Sequence, residues 1–136
     1  MNESSMKRLL IASLAALVVM GLLAFASAYI PGAKNMTAGA LGHVDPVNSL
    51  VTAIAMCLGG YLGGKRFILV ALLLMVVMWI ATIIVMLQVG VQVESKTLGS
   101  VLAFNRSQIL FSLLAATAGA AIGAWLQMKR APVQVQ

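Results

Sequence analysis

Four apolar runs, each free of charged side chains, dominate this chain: residues 9–30, 47–64, 67–90 and 109–128. The hydrocarbon core of a bilayer is about 30 Å thick. Crossing it takes roughly 20 helical residues, because each residue rises about 1.5 Å. All four runs are near or above that length, 47–64 being the shortest. In lipid each must be helical, since an open strand edge would leave backbone N–H and C=O groups without partners. Composition agrees: the chain is 62% hydrophobic and only 9% charged, against about 25% charged residues in soluble domains. So little charge could not cover the outside of a water-soluble fold. The sequence predicts an all-α membrane protein, a four-transmembrane-helix bundle forming a single domain over residues 1–136. Short polar tails at 1–8 and 129–136 flank it.

The basic residues set the orientation. A net charge of +6 would suggest nucleic acid in a soluble protein, but no basic stripe with interleaved aromatics supports that partner. Instead three doublets, Lys7-Arg8, Lys65-Arg66 and Lys129-Arg130, each sit immediately beside an apolar run. Cytoplasmic flanks collect Lys and Arg because translocating them is unfavourable. Placing both termini in the cytoplasm puts all three doublets inside and leaves Lys34, Lys96 and Arg106 outside, opposed by Asp45 and Glu94. Short loops and tails of this kind fit a multi-pass protein of a bacterial inner (cell) membrane.

The connections carry further expectations. Only Gly63, Gly64, Lys65 and Arg66 are available to turn between the second and third spans, which predicts a tight antiparallel hairpin there. Asp45-Pro46 reads as an N-cap followed by proline at the first helical position. Residues 91–108 hold Leu98, Val101, Leu102 and Phe104 at near-helical spacing, either an interfacial helix or an extension of the fourth span. Ala26-Ser27-Ala28 after a basic start matches a signal-peptidase pattern, although the run before it exceeds the usual h-region of roughly 7–15 residues. A shift of 58 positions aligns Val18-Val19-Met20 with Val76-Val77-Met78, and a shift of 60 aligns Gly59 and Gly63 with Gly119 and Gly123. These matches suggest two tandem copies of one helical hairpin, an arrangement that needs the first span retained.

Small residues recur at four-residue spacing. Gly59 and Gly63, Gly60 and Gly64 form two offset stripes in the second span; Ala115, Gly119 and Gly123 form one in the fourth. Such stripes let helix backbones approach closely, either between these two spans or in a homo-oligomer or with a larger membrane partner. No ionisable residue lies inside any run, which argues against proton-coupled transport through a buried carboxylate. Ser13, Ser27, Thr52, Thr82, Ser112 and Thr117 are expected to bond back to their own helix carbonyls. The candidate polar site is His43 and Asp45, with Glu94 and Arg106 on the other outer loop. A histidine, carboxylates and an arginine can in principle hold a metal or do acid–base work. Asp45 is already accounted for as a cap. Met56, Met75, Met78 and Met86 are read as packing residues, the single Cys57 can form no intramolecular disulfide, and no cofactor or metal is expected.

Two functions follow from this reading. The first is a small non-enzymatic accessory or structural component of a membrane. The alternative is a small oligomeric transporter or channel for an uncharged solute.

Overall fold

A computed structural model of the chain describes the backbone of residues 3–29, 37–39, 42–93 and 97–130, with side chains for these except 37–39, 42–43 and 90–93. It contains α1 (Glu3–Ser27), a short hairpin of β1 (Thr37–Gly39) and β2 (Gly42–Val44), then α2 (Pro46–Gly63), α3 (Phe67–Val93) and α4 (Leu98–Arg130). All four helices are long and apolar enough to cross a membrane.

The helix ends have local causes. Asp45 caps α2 from extended backbone (φ −100, ψ 102), and its Oδ1 accepts from the Asn48 N–H at 3.0 Å. Pro46 follows at the first helical position, where its missing N–H costs nothing. Gly64 ends α2 with φ 72 and ψ −161, a conformation open essentially only to glycine, and its N–H returns to the Gly60 carbonyl at 2.8 Å. The Phe67 N–H then bonds the Gly64 carbonyl at 2.9 Å, closing the turn into α3. Thr97 starts α4: its carbonyl accepts from Val101 N–H and its hydroxyl from Ser100 N–H.

Several boundaries differ from the apolar runs; α1 stops at Ser27, α3 runs on to Val93 and α4 to Arg130. α1 begins at Glu3 rather than Leu9, because charged Lys7 and Arg8 are good helix formers and Glu3 bridges Lys7 one turn on at 2.7 Å. Residues 98–108 are part of α4, so the segment left open between an interfacial helix and an extension is an extension. The loop after α1 carries the β1–β2 hairpin, in which Ala38 pairs with His43 and Thr37 with Val44; no strand is expected there from the sequence.

Packing centres on one pair. α2 and α4 run parallel and lie closest together, with residue 60 beside 120 and residue 64 beside 127. α1 packs antiparallel along α2, and α3 packs along α4. The expected tight hairpin of α2 and α3 is realised as a turn but not as a packed pair: beyond the turn the two helices touch little. The reason is that α2's small faces are already occupied. Its Gly60 face meets α4. Its Gly59–Gly63 face receives the Phe67 ring together with Ala12 and Ala16 of α1. Phe67 is fully buried there and leads the core with Ala12, Ala16, Met56, Ala71 and Met75.

Candidate functional site at the Asp45 end

On α4 the buried positions are Val101, Asn105, Gln108, Ser112, Ala116, Gly119, Ala120, Gly123 and Ala124. They form one helical stripe, of which the first half is polar and the second half small. The small half makes the α2 contact. A methyl group on Gly119 would collide with the Ala53 carbonyl, one on Gly123 with the Cys57 carbonyl, and one on Gly60 with the Ala120 carbonyl. Backbone therefore lies against backbone, which only glycine allows here. Ala115 is beside this seam, half-buried.

The polar half builds a set of hydrogen bonds around the start of α2. Gln108 is buried, and its Oε1 accepts from the Asp45 N–H at 2.6 Å, tying α4 to the cap of α2. Its Nε2 is buried without a hydrogen-bond partner among the described residues. Asn105 donates to the Val101 carbonyl at 2.9 Å and to the Met86 sulfur at 3.7 Å, linking α4 to α3. Trp79 Nε1 donates to the Ser112 hydroxyl at 2.7 Å, which in turn donates to the Ile109 carbonyl. An indole N–H buried in an apolar setting usually needs such a partner.

Beside this set lies a cavity of about 360 Å³ to which all four helices contribute. Its polar lining is Asn48, Thr52, Trp79, Thr82 and Ser112; Leu17, Met20, Met75 and Met78 are among its apolar walls. Thr52 and Thr82 donate to the carbonyls of Asn48 and Met78, four residues back. Ser13, Ser27 and Thr117 likewise bond back to carbonyls of their own helices, as expected of hydroxyls in such helices. The cavity wall therefore offers amide, hydroxyl and thioether groups with no ionisable side chain. Chemically it suits an uncharged molecule with one or two polar atoms.

Of the sequence-derived polar candidates, only Asp45 and Arg106 have described side chains. Asp45 is used as the α2 cap, Arg106 is exposed on α4, and Glu94 and the side chain of His43 lie outside the described residues. Among the described residues no group of three or more His, Cys, Asp or Glu side chains could hold a metal. Asn105, Gln108 and Trp79 were not among the site candidates expected from the sequence. The signal was present: 101, 105, 108 and 112 continue the spacing of 112, 116, 119 and 123.

The three basic doublets gather at the opposite end. Arg8 Nε donates to the Leu62 carbonyl at 2.6 Å, Arg66 to the Ser5 hydroxyl at 3.1 Å, and Arg130 to the Tyr61 hydroxyl at 3.1 Å. Lys129 stacks over the Trp125 ring, 3.9 Å from its centroid. Lys7 is paired with Glu3, and Lys65 is exposed.

Comparison with protein-family models gives no match, and neither the curated proteins nor the solved structures include one with detectable similarity to this chain.

Proposed function

We propose that the chain is a multi-pass integral membrane protein that works as a non-enzymatic accessory or structural component, with both termini in the cytoplasm of a bacterial inner-membrane setting. The observation that carries this reading is the α2–α4 seam. Its small residues are taken up inside the chain, so the seam acts as a stiff spine. The flanking helices then turn long apolar faces outward: Leu10, Leu14 and Leu22 on α1, and Leu69, Leu73, Val77, Ile80 and Ile84 on α3. Lipid or the apolar helices of a larger membrane partner would cover such faces. The gathering of Lys7, Arg8, Lys65, Arg66, Lys129 and Arg130 at one end supports the orientation, since that end would stay cytoplasmic. Retention of the first span fits the burial of Ala12 and Ala16 against Phe67 and α2, because losing residues 1–28 would uncover that core.

A second reading has its own observation. The uncharged cavity formed by all four helices favours a small carrier or channel for an uncharged solute, working as an oligomer. The mass of the intact protein in mild detergent separates the two, measured under native and then denaturing conditions. A monomer, or a complex with a foreign subunit, supports the accessory role. A native mass that is a whole multiple of the chain removes that reading in favour of the carrier.

A further inference from the structure

At the basic end, α1, α2 and α4 line a cavity of about 590 Å³, distinct from the one described above. Its walls include Lys7, Arg8 and Ile11 of α1, Tyr61 and Leu62 of α2, and Gln127 of α4. Arg8 is pinned there. Its Nε holds the Leu62 carbonyl, one of the last-turn carbonyls that a helix end leaves without a partner. That bond uses one of five guanidinium N–H groups and fixes the plane of the rest. Outside the lining, Arg130 donates to the hydroxyl of Tyr61, which keeps a further positive charge at this end. Glu3 is the one carboxylate at this end among the described residues, and it is held by Lys7. Ile11 and Leu62 supply an apolar surface beneath the positive rim.

We propose that this cavity binds the phosphate of an anionic phospholipid, with Arg8 and Lys7 on the phosphate oxygens and an acyl chain along Ile11 and Leu62. A planar guanidinium meets a phosphate through two parallel N–H bonds. Basic pockets between membrane helices take anionic headgroups by the same chemistry. The proposal holds under either functional reading, since it concerns a lipid ligand rather than a partner or a solute.

The test is native mass spectrometry of the full chain in mild detergent, titrated with phosphatidylglycerol, with phosphatidylcholine, and with phosphatidylglycerol in the presence of excess inorganic phosphate. One retained phosphatidylglycerol, preferred over phosphatidylcholine by about fivefold or more, is expected. Arg8→Gln should weaken it by about tenfold, the loss of one charge-assisted hydrogen-bonding group. Because Arg8→Gln also releases Leu62, Lys7→Gln provides a second variant that breaks no bond between helices; it should weaken binding by about fivefold. Lys65→Gln removes the same charge at the same end but outside the cavity, and should change binding by less than about twofold. An equal loss in Lys65→Gln would mean diffuse surface charge and overturn the site. Equal retention of phosphatidylcholine would overturn the phosphate recognition. Displacement by inorganic phosphate would assign the cavity to a soluble anion and overturn the lipid.

Discussion

Substituting Gly123 with alanine tests the α2–α4 seam directly. The added methyl would overlap the Cys57 carbonyl oxygen and stand 2.7 Å from the Tyr61 nitrogen and 2.8 Å from the Cys57 carbonyl carbon. Non-bonded carbon atoms prefer about 3.5–4.0 Å. All the obstructing atoms belong to the α2 backbone, so no side chain can swing aside, and the helices must part by roughly 1 Å. A gap of about 0.5–1 Å forfeits a quarter to a half of each dispersion contact across it, and overpacking of this kind costs about 1–3 kcal/mol. Alanine recovers up to about 1 kcal/mol of helix propensity over glycine, leaving a net loss of roughly 1–2 kcal/mol. Gly21→Ala is the matched control, because its methyl would meet nothing within 4 Å; it should be neutral or stabilising by up to about 1 kcal/mol. Reversible unfolding in mixed micelles, followed by helical circular dichroism, gives both values. Combining Gly119→Ala with Gly123→Ala should cost less than the sum of the two, since one separation relieves both overlaps. If Gly123→Ala proves as benign as Gly21→Ala, the two backbones are not in contact and the seam is wrongly placed.

Three further outcomes are expected. Ser112→Ala leaves the Trp79 indole N–H without its partner and should destabilise by about 0.6–2 kcal/mol, with a shift of the tryptophan emission that Trp79→Phe abolishes. Gly64→Ala forces a side chain into a glycine-only backbone region and should cost about 1–3 kcal/mol; Gln127→Ala, which clears the space beside it, should not restore stability on thermal unfolding. Asp45→Ala removes the cap of α2 and should cost about 1 kcal/mol, while Asp45→Asn, measured in the same assay, should retain most of it.

What the sequence made legible was whatever depends on local chemistry. Uncharged length gives the four helices, Asp45-Pro46 gives the start of α2, and the glycine pairs in α2 and α4 mark the surfaces that allow close approach. The partner of each surface was not legible, because a stripe of glycines specifies closeness without saying to what. Phe67 shows the difficulty: it reads as an ordinary apolar residue after a basic doublet, yet it fills the Gly59–Gly63 face and so keeps α3 from packing along α2. Asn105 and Gln108 fell outside the apolar run of the fourth span because their polarity masked a spacing that continues the buried stripe of α4. The β1–β2 hairpin lies between small residues with no alternating apolar pattern, so period-two reasoning had nothing to detect.

In the proposed membrane setting, the unequal apolar lengths have a consequence for the surrounding lipid. At about 1.5 Å per residue, the apolar run of α2, residues 47–64, reaches roughly 27 Å, whereas that of α3, residues 67–90, reaches roughly 36 Å. Leu50, Ile54 and Leu58 give α2 an outward face of its own, so a surrounding bilayer would meet a short wall on that side and taller ones elsewhere. Hydrophobic mismatch costs fractions of a kcal/mol per Å, and here it would act on one flank only. The bilayer would have to pinch beside α2 or the whole bundle lean toward it, and thin membranes would hold this protein with less distortion than thick ones.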